Sequence, residues 1–265
     1  MTYKRIAVAV AFSPTFSAVM AEARRFAAQC DATLDIIHGG AHDPGKEARF
    51  LAALGQPAEI RWMEAESPAQ AIAAAAKEYD YELVIAGALQ REDGDKPFIS
   101  GVARDLLRIV PADLLLIPGP SMEGDRLKHG IFAFEPGEDC FDFLSRTVES
   151  LGITQVTIAA PETPFAAAMA ASRGQEPCDV QAWSQGLETS LQEQGVEADT
   201  RIVTSNTGYT LCDAVLGIAA DLLVVQAAPM GGADNPLPMH MNWLYQVIPM
   251  RLLVVRGSAA GSAPE

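Results

Sequence analysis

The sequence lacks most of the residues and patterns that announce an activity. Its four cysteines, Cys30, Cys140, Cys178 and Cys212, form no C-x-x-C pair. That excludes the usual dithiol and thiolate-zinc motifs and fits reduced core thiols in a cytoplasmic protein. There is no G-x-S-x-G elbow, no H-E-x-x-H and no G-x4-G-K-[ST] loop, so the common hydrolase, zinc-protease and P-loop scaffolds are missing. No apolar run approaches ~20 residues, and nothing is expected to span a membrane. Aromatic residues are only 7% of the chain while hydrophobic residues are 49%. That balance excludes disorder and suits an Ala/Val/Leu-rich α/β core. Basic residues are scarce as well, 19 against 34 acidic, for a net charge of −15. The deficit is uneven: residues 1–120 carry 12 basic and 16 acidic side chains, the remainder 7 and 18. Such a surface repels nucleic acid and anionic lipid, so neither is an expected partner. The opening "MTYKRIAVAVAFSP" has the charge and apolarity of a leader. No small-residue cleavage site follows it, so it reads as a first strand.

What the chain does contain is alternation. "KRIAVAV" reads as a strand, and Ser13-Pro14 as a hydroxyl N-cap with proline at the first helical position. Phe16, Val19, Met20, Ala23, Phe26 and Ala27 then fall on one helical face. "ATLDIIHGG" and "EIRWM" are strands, and Ser67-Pro68 caps a helix over "AQAIAAAAKEY". "LVIAG", a helix over 101–109 and the strand "DLLLIP" complete the set. Strand–helix alternation predicts right-handed βαβ units around a parallel sheet. After the glycine-rich "GPSMEGDRLKHG" the order recurs: "GIFAF", a helix with Phe141, Leu144, Val148 and Leu151 on one face, and "QVTIAAP". A helical insert through Trp183, Leu187 and Leu191 precedes "DTRIVTS" and a helix over "LCDAVLGIA". The closing parts align best, "ELVIAG…RIVPADLLLIP" against "DLLVVQ…QVIPMRLLVVR", with Pro111 on Pro249. A repeat of this length predicts two homologous domains, 1–120 and 131–265, joined by a linker at 121–130.

In that order, twice over, these segments resemble a tandem universal stress protein. The likeness runs over nearly the whole chain, the linker and the 162–180 insert excepted. It implies an α/β fold of two adenine-nucleotide-hydrolase-like, doubly wound domains, each with a five-stranded parallel sheet. It further implies an intramolecular pseudo-dimer paired through the last strands, "LLLIP" and "LLVVR". Some members of the family bind ATP through a G-x2-G-x9-G-[ST] loop, with an acidic residue ending the first strand. Glycines there let backbone N–H groups approach phosphate, and the helix start adds its dipole.

On this chain the nucleotide positions fall on Ala11, Gly39, Gly87, Gly101 and Val102. Ala11 replaces the acid, Gln90 the second glycine and Val102 the hydroxyl, and Gly101 arrives one residue late. Glu92, Asp93 and Asp95 outnumber Arg91 and Lys96 in between. In the second copy Gln226, Pro229, Met239 and His240 hold the motif positions, while Glu135 keeps an acid at its strand end. Glu135, Gln226 and His240 are the candidates for that second cleft. The expectation is a non-enzymatic stress-response module that senses a small ligand or binds a protein and needs no cofactor. The alternatives are a switch holding ATP or AMP in the first domain only, and a small hydrolase without a recognised signature. Further homodimerisation stays open.

Two clusters have the look of metal sites. His38, His42 and Asp43 form H-x3-H-D, and Met230, Met239, His240 and Met241 share a glycine- and proline-rich loop. Neither is expected to hold a metal: the histidines lack further ligands nearby, and methionines commonly fill irregular gaps. Ser13 and Ser67 read as helix caps rather than nucleophiles, and Asp31, Asp35, Glu64 and Glu66 as solvated carboxylates. Trp62, Trp183 and Trp243 read as packing residues.

Overall fold

A computed structural model describes residues 3–13, 15–88, 99–119, 127–134, 136, 140–162, 164–172, 174, 176–204, 208–227, 236–237, 239–248 and 250–256, the side chains of 165–166, 169–170, 208–209 and 239–240 excepted. The first repeat forms β1 (Arg5–Ala9), α1 (Phe16–Cys30), β2 (Thr33–Gly39), α2 (Pro44–Leu54), β3 (Ile60–Met63), α3 (Pro68–Glu78), β4 (Leu83–Gly87), α4 (Gly101–Ile109) and β5 (Asp113–Ile117). The second forms β6 (His129–Ala133), α5 (Phe141–Leu151), β7 (Gln155–Glu162), α6 (Pro164–Ser172), α7 (Val180–Glu193), β8 (Glu197–Thr204), α8 (Gly208–Leu216) and β9 (Leu222–Ala227). A 3-10 helix (Met239–Tyr245) and β10 (Arg251–Arg256) close it. Each repeat thus contributes five strands. The stretch read as a linker lies mostly outside the described residues, and its end, His129 and Gly130, already belongs to β6.

The chain divides into two compact bodies, one built on β1–β5 together with β10, the other on β6–β9. In the first, the sheet runs β3-β2-β1-β4-β5-β10. Neighbours are parallel up to β5. β10 then adds antiparallel, with Leu252, Leu253 and Val254 opposite Leu116, Leu115 and Leu114. The two segments expected to pair, "LLLIP" and "LLVVR", therefore do so. Ile6, Ala7, Val8, Leu83, Val84, Ile85, Leu114, Leu115 and Leu116 are all fully buried. Continuous apolar runs, rather than alternation, are what a parallel strand covered on both faces requires. The chain reverses its winding direction between β1 and β4, which opens a crevice at their carboxyl ends.

Local signals set most helix ends. Ser67 accepts from the Gln70 amide at 3.2 Å, with Pro68 at the first position of α3. The Ser13-Pro14 signal is displaced. α1 starts only at Phe16, with Thr15 at the N-cap and no side-chain capping bond. Ser13 Oγ pairs with Thr15 Oγ1 at 3.1 Å instead, and its carbonyl takes the Phe16 amide. Each hydroxyl thus has the other as a partner. α2 has no counterpart among the predicted elements. Asp43 caps it, accepting from Gly45 and Lys46 amides at 2.8 and 3.0 Å, and Pro44 opens it.

One charge cluster ties β10 to this body. Glu22 of α1 is only 3% exposed. It accepts from Arg251 Nη2 at 2.8 Å and Nε at 3.3 Å, and from Arg25 Nη2 at 2.5 Å. A buried carboxylate needs such partners, because its desolvation is otherwise uncompensated. In the second body the sheet runs β9-β6-β7-β8, all parallel. Phe132, Val156, Ile158 and Leu222 to Val225 form its centre. His129 Nε2 and Thr157 Oγ1 lie 2.9 Å apart, and Thr157 donates to Asp199 at 2.7 Å, linking three adjacent strands.

Arg251→Ala removes the two hydrogen bonds by which the guanidinium holds the buried Glu22. The expected loss is ~3 kcal/mol, read as a lower urea midpoint. The paired change Glu22→Leu with Arg251→Met is expected to be less harmful than Arg251→Ala.

Candidate functional site

The crevice at the β1/β4 reversal is built from backbone. The Val10 amide continues the pairing of β1 with β2 by donating to the Ile37 carbonyl at 3.0 Å, and Ala11 follows it exposed. On the other side, Gly87 ends β4 opposite Ile117. The Ala88 amide donates to Ile117 and the Ser100 amide to the Ala88 carbonyl, both at 2.8 Å. This second bond draws the start of α4 back onto the end of β4, so Gly87 and Gly101 come to one place. Gly39 sits elsewhere, on β2. A Cβ there would lie 3.5 Å from Pro68 Cα and 3.6 Å from Ala71 Cβ, against α3.

The two glycines of the crevice answer different demands. A Cβ on Gly87 would come within 3.3 Å of Thr15 Oγ1 and 3.4 Å of Val19 Cγ2, so the first turn of α1 packs on it. A Cβ on Gly101 would meet nothing within 4 Å. The amides at the start of α4 are partly occupied. Ser100 Oγ accepts from the Ala103 amide at 3.0 Å, a side-chain cap that uses a donor an anion would otherwise take. Val102, next along, exposes its apolar side chain at 38%. Phe12 is exposed to the same degree, stacks on Phe50 at 4.9 Å and has Arg49 Cζ 3.7 Å above it. The described rim therefore combines apolar and aromatic side chains with the Arg49 cation. Gln90, Arg91, Glu92, Asp93, Asp95 and Lys96 lie outside the described residues.

Among the described residues the second body has no such pair of glycines. Gln226, near the end of β9, keeps its Oε1 buried without a hydrogen-bond partner, and Trp243 Nε1 is in the same condition. Both are costly unless satisfied. Glu135, Pro229 and Met230 lie outside the described residues. His240 falls in the 3-10 helix, as Met239 does, with its side chain not described. Met241 is fully buried, as a packing residue would be.

The histidine pair has a packing explanation. His38 is 8% exposed. Its Nδ1 donates to the Val10 carbonyl at 2.9 Å, which leaves Nε2 to accept from the Lys46 ammonium at 3.3 Å. Its ring lies 5.1 Å from Phe50 and 5.3 Å from Trp62. His42 Nε2 bonds Glu47 at 2.6 Å. The Lys46 and Gly45 amides that Asp43 caps hold its carboxyl below the usual range. Among the described residues no group of three or more His, Cys, Asp or Glu could hold a metal. Asp35 is not the solvated carboxylate its sequence context implied: Tyr81 donates to it at 2.5 Å and Arg61 at 3.3 Å. Arg61 comes from the neighbouring β3 and Tyr81 from the segment before β4, so local sequence could not reveal them.

No protein-family model and no curated protein matches the chain. Solved structures do. A universal stress protein from Archaeoglobus fulgidus DSM 4304 superposes with a TM-score of 0.70 at 11% identity, over 96% of this chain and 98% of that one. A functionally unknown protein from Pseudomonas aeruginosa PAO1 gives 0.68 at 13% identity, over 96% and 92%. This is the tandem universal stress protein fold. The crevice between β1 and β4 pairs a glycine fixed by packing with a helix start capped by its own serine. Ser100, one place before Gly101, is the residue that sequence reasoning passed over. Its signal was a hydroxyl immediately ahead of an amphipathic helix.

Gly87→Ala is expected to cost about 1–2 kcal/mol, because Thr15 and Val19 must give way. Gly101→Ala is expected to be neutral or to stabilise by about 0.5–1 kcal/mol. Thermal melting of the two variants distinguishes them.

Proposed function

We propose that this chain is a non-enzymatic stress-response module of the universal stress type, which senses a small ligand or binds a protein and does not depend on ATP. The bond from the Ala103 amide to Ser100 Oγ carries this reading. It engages a donor at the helix start that a phosphate would need, while Val102 and Phe12 put apolar surface on the rim beside the one cation, Arg49, described there. In the second body, Gln226 occupies the place of a loop glycine, which removes the close backbone approach a phosphate requires. A cytoplasmic setting fits the four cysteines, which are all free. No helix among the described residues is long and apolar enough to cross a membrane.

A second reading, a switch holding ATP or AMP in the first domain alone, draws on one observation. The space beside Gly101 is open, with nothing within 4 Å of a Cβ placed there. Thermal melting with millimolar ATP–Mg²⁺ separates the two. Under the first reading the midpoint moves by less than about 1 °C, whereas a ligand bound only by the folded state raises it by several degrees. A rise of that size would make the nucleotide switch the better account.

A further inference from the structure

β8 is the edge strand of the second body's sheet, and among the described residues it pairs with β7 alone. At eight residues it is long for an edge, and a long open edge invites another strand. The Glu197 amide donates to the Thr154 carbonyl at 3.0 Å. Backbone groups alternate sides along a strand, so residues 197, 199, 201 and 203 bond to β7 while Ala198, Thr200 and Ile202 turn their amides and carbonyls outward. The Ala198 carbonyl agrees with this direction: it takes Gln192 Nε2 of α7 at 3.2 Å, not an amide of β7. Ile202 is 39% exposed, as few large apolar residues are among those described. On the other face of the strand stand Asp199 and Arg201, both substantially exposed, with Arg201 Nε 3.5 Å from Asp199 Oδ2.

We propose that β8 is a docking edge for a second copy of this chain, the two β8 strands pairing antiparallel about a two-fold axis at Thr200. The proposal is independent of what the crevices bind. The outward set restricts the register, because Ala198, Thr200 and Ile202 must face their counterparts for amide to meet carbonyl. Centred on Asp199, the pairing sets that carboxylate against its own copy. Centred on Arg201, it sets guanidinium against guanidinium. Centred on Thr200, it places Asp199 opposite the partner's Arg201, and Arg201 opposite the partner's Asp199. These are the non-hydrogen-bonded positions, where facing side chains come closest. The exposed Ile202 then lies opposite the partner's Ala198. Centres further along the strand leave much of it unpaired. Charges on an edge ordinarily keep copies apart; this pair does so in the neighbouring registers and favours the central one. A two-fold axis demands that self-complementarity. Two adjustments accompany docking. Gln192 releases the Ala198 carbonyl and keeps Glu188 Oε1, at 3.2 Å, as its acceptor. Arg201 exchanges its own Asp199 for the partner's, while Asp199 retains the Thr157 hydroxyl at 2.7 Å.

Two strands of this length meet over less than the roughly 800 Å² per partner of a standard interface, and each copy carries a net charge of −15. The dimer is therefore expected at about 10–100 μM chain in ~150 mM salt, and sedimentation velocity of the full chain reads it. Arg201→Asp sets acid against acid across the axis, and Asp199→Arg sets base against base. Each alone is expected to raise the dimer Kd roughly tenfold or more. Mixed in equal amounts, the two variants are complementary, and the mixture is expected to regain the dimer. Ile202→Pro removes an outward amide that has no partner among the described residues, a change an edge strand tolerates. It is expected to abolish the dimer with little change in thermal melting. A wild type that stays monomeric to about 500 μM overturns the proposal, as does a dimer that neither Arg201→Asp nor Ile202→Pro weakens. A mixture that stays monomeric overturns the Thr200 register. If Asp199→Arg does not fold, having lost the Thr157 contact, Arg201→Asp and Ile202→Pro decide.

Discussion

A central strand must find hydrogen-bonded neighbours on both sides, and β5 finds its second one in the last strand of the chain. The pairing is antiparallel, leucine against leucine and valine, with Leu114, Leu115 and Leu116 buried and Leu252, Leu253 and Val254 opposite them. Everything else in the first body presumes this edge is closed. α1 reaches β10 through the buried Glu22–Arg251 contact, α4 meets it through the Leu107 carbonyl and Arg256, and Asp113 takes the amide at its end. Without β10, Glu22 would keep a buried charge with one partner fewer, and β5 would present an apolar edge to solvent.

The same economy of donors shapes the crevice. A helix start has several amides without intrahelical partners, and what fills them decides what the site can hold. Here Ser100 fills one from within the chain, while the first turn of α1 leans on Gly87 closely enough that a side chain there would press on Thr15. Gly87 is therefore explained by packing before any ligand is invoked. Gly101 is not, and the open space beside it is the part of the crevice that retains room for a guest.

Much of this was legible from residues alone. Fully buried strands announce themselves as unbroken apolar runs, so "LVIAG", "DLLLIP" and "LLVVR" were placed correctly, and the resemblance to tandem universal stress proteins implied the pairing of the last two. Shorter-range signals competed less cleanly. Asp43-Pro44 is a helix start, but its histidine neighbours drew the segment toward metal-site spacing. α2 buries only Phe50 and Leu54, too little for a clear helical period. Ser13-Pro14 had the right residues for a cap two positions too early, because Ser13 satisfies its hydroxyl on Thr15. The partners of Asp35 and Asp113 come from strands distant in sequence, and no local pattern encodes them.

The order of synthesis gives β10 a final significance. Leu116 and Leu252, which face each other across the sheet, are separated by 136 positions. A ribosome delivers β5 long before its neighbour exists, so the emerging first half carries an uncovered row of amides and leucines while the second half is still being made. Non-local strand pairing of this kind is slow and leaves nascent chains prone to sticking. The first body therefore depends on a strand made long after the rest of it, and a chain stalled between the two would expose its most adhesive edge.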